Sequence, residues 1–169
     1  MTDRYDYIVV GAGAAGCLVA NRLSASAANR VLLLEAGPSD DSSLIRAPLG
    51  ALLLYHSDKY LWKFWSEKEA GLSGQRVYCP QGKALGGGSA VNGLIYIRGS
   101  VQDYEAWERL GNRGWGYADM LESFKSFDAN EDFRDRYHAA HGEINVQSIR
   151  EPHPHAERLV LAGLQAGYS

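Results

Sequence analysis

Apolar residues recur along the chain in two periods, and these lay out the elements. Residues 7–10, YIVV, are a short unbroken apolar run with β-branched Ile8, Val9 and Val10, the pattern of a strand buried on both faces. Residues 14–24 place Leu18, Val19 and Leu23 at helical spacing and predict a helix with those three turned inward. Residues 30–34, RVLLL, predict a second strand. A polar turn over 38–43 follows, then Pro48, suited to a first helical turn, and the run LGALLL, which together predict a short helix over 47–55. Residues 59–67, KYLWKFWSE, are dense in aromatics and fit either core or a cover over a ligand. Residues 76–79 predict an extended run that Pro80 breaks. Residues 100–110 predict a helix with Tyr104 and Trp107 on one face, and the glycines of 111–116 end it. Residues 117–127 predict another, with Met120, Leu121, Phe124 and Phe127 as its apolar stripe. Residues 128–136, DANEDFRDR, read as a solvated charge run, 143–149 as a half-exposed strand, and 157–165 as a helix cut short at the chain end.

Between the first strand and the first helix stand Gly11, Gly13 and Gly16, at the spacing GxGxxG. Gly11 permits the tight turn, Gly13 leaves room for a pyrophosphate near the backbone, and Gly16 lets the helix pack closely on the sheet. The first helical amides lack carbonyl partners, so the turn favours an anion. Glu35 ends the second strand, 19 residues beyond Gly16, where an acid accepts hydrogen bonds from ribose hydroxyls and repels a 2′-phosphate. Strand, turn, helix and acid together predict dinucleotide binding on an α/β, Rossmann-like FAD/NAD(P)-binding fold. The motif does not separate FAD from NAD, and NADP is disfavoured.

A second glycine cluster, QGKALGGGSAVNGLIYIRG, spans 81–99. Three consecutive glycines, Gly86 to Gly88, suit a backbone passing close to something flat. Ser89 is placed to cap a following helix or to donate to a phosphate oxygen, and Asn92 offers donor and acceptor.

Composition narrows the picture. The apolar fraction of 46% and charged fraction of 22% are those of a globular chain. A net charge of −3 without a basic cluster gives nucleic acid nothing to bind, and no run of 18 apolar residues predicts a transmembrane helix. The N-terminus passes straight into a strand, without the pattern of a signal peptide. Cys17 and Cys79 read as free buried thiols in a reducing, cytoplasmic setting. His153 and His155 flank Pro154 without a third ligand, so no metal is expected; they, His138 and His141 read as surface residues, and His56 as a satisfied polar residue.

The residues GKALGGGSAVNGLIYIRG resemble the first signature of the glucose–methanol–choline (GMC) oxidoreductases, FAD-dependent enzymes that oxidise alcohols. Residues 5–36 are similar to that family's N-terminal FAD motif, residues 62–83 to the stretch before the signature, and residues 114–127 to the segment after it. The resemblance implies that Gly11, Gly13, Ala14, Ala15 and Gly16 meet the FAD pyrophosphate and Glu35 the adenosine ribose, with Ala36 also among the cofactor-binding residues. It places Leu85, Gly86, Ser89, Asn92, Gly93, Leu94 and Ile95 along the flavin end. Members that bond flavin covalently can carry His before the Asn; Val91 stands here, so a non-covalent FAD is expected. Gln81 departs from the Arg usual before the GK pair. The implied substrate is a small alcohol, oxidised to an aldehyde; the electron acceptor and oligomeric state are left open. The family's catalytic His, from its C-terminal part, has no match in this sequence, so no catalytic residue is assigned. The expectation is an N-terminal portion with an incomplete fold: residues 1–150 in a discontinuous FAD-binding domain, and 151–169 as the start of further structure in a mixed-sheet substrate domain. The alternatives are a non-catalytic FAD-binding remnant or, more distantly, an NAD-dependent dehydrogenase, which has no use for the second loop.

Overall fold

Strand β1 (Tyr7–Val10) pairs in parallel with β2 (Val31–Leu34), Tyr7 opposite Val31 through Val10 opposite Leu34, and helix α1 (Ala14–Ser24) forms the crossover. The structure, a computed structural model, describes residues 4–47 and 49–168. Pro48 and the helix start assigned to it lie outside the described residues. Contacts divide the chain into two compact units, one ending at Ile95 and the other beginning at Tyr96.

The parallel pair departs from expectation in its burial. Ile8 is 60% and Val10 81% exposed, while Leu18 and Val19 on α1 are about half-exposed and Ala20 is the buried residue of that helix. A strand is covered on both faces only when layers pack on each side of a wider sheet. Among the described residues this sheet has two strands.

The core of the first unit lies elsewhere. Leu54, Tyr60 and Ala84 are buried together, with Ile45 and Val91 packed against them. Ile45 belongs to α2 (Ser43–Arg46) and Leu54 to α3 (Gly50–Leu54), while Tyr60 and Ala84 flank an antiparallel ribbon of β3 (Leu61–Trp65) with β4 (Tyr78–Gly82). Helix α2 was not expected; Ser42 caps it by accepting from the Leu44 N–H at 3.3 Å. The aromatic segment is thus a strand, and Pro80 does not end the extended run: it sits within β4 opposite Lys63. Proline is tolerated at sheet edges, and both strands of a ribbon are edges.

The second unit begins with α4 (Val101–Arg109), closed at its start by a capping box in which Ser100 and Asp103 each accept from the other's backbone N–H. Tyr104 and Trp107 meet edge to face at 5.4 Å, and Tyr104 also meets Phe124 of α5 (Tyr117–Phe127) at 5.7 Å. Met120, Leu121, Phe124 and Phe127 are all half-buried, as their spacing predicts.

The charge run opens differently from its expectation. Asp128 is fully buried and Asn130 nearly so, in a strand β5 (Asp128–Asn130) parallel to β6 (Ile144–Val146). Asp128 Oδ2 accepts from Arg98 Nη2 at 2.9 Å and from the Ala139 N–H at 3.3 Å. Arg98 also donates to the Tyr137 carbonyl, and its guanidinium lies over the Phe124 ring at 5.2 Å. The last helix, α6 (Pro154–Gln165), is not cut short. It closes in a glycine C-cap, where Tyr168 N–H reaches Gly163 O and Gly167 N–H reaches Leu164 O, both at 3.1 Å. His153 is its N-cap and His155 lies within it. Among the described residues, no helix is long and apolar enough to cross a membrane.

Candidate dinucleotide site

At the carboxyl ends of β1 and β2 the chain turns sharply, and Gly11 takes φ +94° to do so. Gly16 sits where an added Cβ would be 1.8 Å from the Gly11 carbonyl oxygen, so a glycine is required for α1 to approach the turn. Ala14, Ala15 and Gly16 form the first helical turn, with Ala14 and Ala15 exposed at its positive end. Ala12 is fully buried; its N–H donates to Glu35 Oε2 at 2.8 Å, and its carbonyl accepts from Gly86 N–H at 2.8 Å. Cys17 Sγ donates to the same carbonyl at 3.2 Å. Both cysteines are free and half-buried, not fully buried as expected.

The second glycine loop forms a 3-10 turn over Gly87–Ala90 that docks directly on the first. Gly13 and Gly86 form a parallel bridge. Gly87, at φ +56°, faces Gly13 so closely that an added Cβ would lie 2.6 Å from the Gly13 Cα. Ser89 caps no helix; its hydroxyl donates back to the Gly86 carbonyl at 2.7 Å. Asn92 Oδ1 accepts the Leu94 N–H at 2.9 Å, and Leu94 takes a left-handed φ of +61°.

Two open depressions run along these loops. One, of about 560 Å3, is walled by Gly11, Gly13, Glu35 and Ala36 on one side, and by Trp62, Gly87 and Gly88 on the other. The next, of about 440 Å3, is lined by Tyr55, Leu61, Val91, Asn92 and Gly93, among others. Gln81, Gly82 and Gly88 line both, so the two depressions adjoin at the end of β4. Each volume is in the range of small-molecule sites.

The structure thus brings Gly11, Gly13, Glu35 and Ala36 to one depression and Asn92 and Gly93 to the adjoining one. Leu85, Gly86, Ser89 and Leu94 line a different cavity of about 250 Å3, which also touches Asn92. Ile95, 80% exposed, lines none of the three. Trp62, Gln81 and Gly82 were not singled out as site residues. The ribbon register puts Trp62 opposite Gln81 and Leu61 opposite Gly82, and Lys83 Nζ lies 4.9 Å from the Trp62 ring centroid, holding it as a wall. The signal was present in the alternating aromatics Trp62 and Phe64, readable once the segment is taken as a strand. Among the described residues, no group of three His, Cys, Asp or Glu side chains could hold a metal ion.

Together these features define a Rossmann-like dinucleotide-binding region whose glycine turn is backed by a second glycine loop. Gly11, Gly13 and Glu35 line one depression of that region with Gly87 and Gly88 of the second loop, while Ala14, Ala15 and Gly16 line none of the three. The chain belongs to the GMC oxidoreductases, whose family model matches residues 5–169. It is 44% identical over 166 residues to an alcohol dehydrogenase [acceptor] of Pseudomonas putida, covering 98% of this chain and 30% of that protein. It is 42% identical over 170 residues to an oxygen-dependent choline dehydrogenase of Vibrio vulnificus, covering 99% of this chain and 30% of that one. The crystal structure of pyridoxine 4-oxidase from Mesorbium loti superposes with a TM-score of 0.86 at 32% identity, over 97% of this chain and 32% of that one. The chain therefore spans about 30% of the length of the curated relatives it matches.

Proposed function

We propose that this chain is the cofactor-holding part of an FAD-dependent oxidoreductase that acts on the CH–OH group of small alcohols. The observation that carries the reading is the docking of the second glycine loop on the first, Gly13 bridged to Gly86, beside two adjoining depressions, one lined by Glu35 and the other by Asn92. An NAD site would use the first loop and leave the second without a role. The residues fit FAD: Gly11, Gly13 and the α1 amides of Ala14, Ala15 and Gly16 for the pyrophosphate, Glu35 and Ala36 for the ribose, and Asn92 and Gly93 for the flavin edge. We add Trp62 and Gly82 as walls and move Leu85, Gly86 and Ser89 to a supporting role behind the two depressions. Leu94 and Ile95 continue the flavin-end segment.

Bound FAD supplies the two-electron acceptor that alcohol oxidation needs. The protein residues orient it: the glycine turn fixes the anionic middle, and the 3-10 turn brings backbone against the path to the ring. A base for the alcohol proton is not assigned among these residues. Of the chain alone we infer cofactor binding without turnover. Choline and aliphatic alcohols are the proposed substrates of the whole protein, supported by the names of the relatives. Residues 1–150 are assigned to the FAD-binding domain and 151–169 to substrate-domain structure. Free Cys17 and Cys79 support a reducing, cytoplasmic setting.

Titration of the chain with FAD is expected to quench flavin fluorescence to a one-to-one endpoint. Acid precipitation is expected to release all the flavin to the supernatant, because Val91 offers no atom for a covalent bond. Flavin that stays with the pellet contradicts the non-covalent assignment. Tight NADH binding without flavin uptake would move the reading to a nicotinamide enzyme. Alcohol-dependent dye reduction by the 169-residue chain would show that it is catalytic on its own.

A further inference from the structure

We propose that Glu35 is a positioning residue for the glycine turn as well as a ribose acceptor, an inference that rests on the FAD reading above. Its two carboxylate oxygens point at two different backbone amides. Oε2 accepts from Ala12 N–H and Oε1 from Gly37 N–H, each at 2.8 Å. Ala12 is fully buried, so its N–H needs a partner inside the protein. The Ala12 carbonyl in turn holds Gly86 N–H at 2.8 Å. The carboxylate thus ties the exit of β2 to the glycine turn, and Ala12 ties that turn to the second loop. Gly37 belongs to the same arrangement: an added Cβ there would be 2.0 Å from the Lys83 carbonyl oxygen.

This geometry specifies an acid rather than any acceptor. A carboxylate accepts at both oxygens, whereas the glutamine amide has one acceptor oxygen and one NH2 donor. In Glu35→Gln the NH2 must face either the Ala12 or the Gly37 N–H, donor against donor. Each carboxylate oxygen keeps a further lone pair, so ribose hydroxyls can be accepted while the clamp stays closed. The turn is then held in its binding shape before the dinucleotide arrives, which lowers the ordering cost of association.

The test compares Glu35→Gln with the unaltered 169-residue chain by amide hydrogen exchange without cofactor. Gly11 N–H, bonded to Leu34 O at 2.8 Å and untouched by the Glu35 side chain, is the internal reference. Exchange at Ala12 or Gly37 is expected to speed up about tenfold, the scale of one hydrogen bond to a charged group, with Gly11 unchanged. Equal rates at all three amides in both proteins, or equal loss of protection at all three, overturns the proposal. A second arm measures binding of FAD and of its 2′,3′-dideoxyadenosine analogue. The substitution is expected to weaken the analogue too, by about tenfold. An analogue whose affinity is unaffected shows that Glu35 acts through the ribose alone, and overturns it. If the unaltered chain binds neither ligand, the FAD reading fails, while the exchange rates still decide the clamp.

Discussion

Gly87→Val is expected to abolish flavin retention and to lower the stability of the first unit by about 2–5 kcal/mol. Two costs add. A side chain in the left-handed region costs about 1–2 kcal/mol, and Gly87 sits at φ +56°. Forcing atoms into a close-packed contact costs about 1–3 kcal/mol more, and the new Cβ would lie 2.6 Å from the Gly13 Cα, a backbone atom that cannot swing aside. Relief requires the loops to part, which breaks the Gly13–Gly86 bridge and the Gly86 N–H bond to Ala12. Against a total stability of about 5–15 kcal/mol this loss is large. Gly88→Ala is the control for stability alone, because a Cβ there meets nothing within 4 Å and its φ is not in the left-handed region. Urea midpoints and the flavin absorbance retained through gel filtration measure the two effects. Wild-type stability in Gly87→Val would remove the loop-on-loop contact from this account.

Asp128→Ala is expected to destabilise the second unit by about 3–5 kcal/mol, the cost of leaving one member of a buried ion pair alone. Arg98 loses the carboxylate at 2.9 Å, and Ala139 N–H loses its acceptor. The Arg98 side chain is 15% exposed, so water reaches it poorly. Among the described residues, Arg98 Nε and Asp128 Oδ1 have no hydrogen-bond partner in the protein. Replacing both residues is therefore expected to cost less than replacing Asp128 alone; Asp128→Ala with Arg98→Met recovers part of the loss because no buried charge is stranded. Denaturant unfolding of the single and double variants measures this. An Asp128→Ala chain within about 1 kcal/mol of the wild type would rule the buried-pair account out.

The elements that local pattern determines were legible in the sequence. Helix α1, the β1–β2 pair and helices α4 and α5 follow from periodicity, and the ends of α1 and α5 match their expected bounds. Gly16 packs as its spacing implies, because the strand–turn–helix geometry leaves no room for a Cβ. What escaped depends on partners distant in sequence. Asp128 reads as one more acid in a charged run until Arg98, 30 residues earlier, is placed beside it. The strand through Pro80 needs β3 to reveal it as half of a ribbon. The exposure of Ile8 and Val10 reflects how few layers flank them, which no local pattern encodes. The sharp turn at Gly11 and the close packing of Gly16 follow the expected spacing, and Glu35 stands just beyond β2. The division of the second loop between the two depressions and a rear cavity was not legible, because it depends on which way each peptide turns.

The parallel pair β1–β2 carries a consequence for how the polypeptide behaves in solution. Among the described residues neither strand has a second partner strand, and Ile8, Val10 and Leu34 remain accessible to water. An uncapped apolar rim of this kind templates further strands from any neighbour. Light scattering that rises with polypeptide concentration, and falls when Val10 is replaced by lysine, is the expected signature of such self-association.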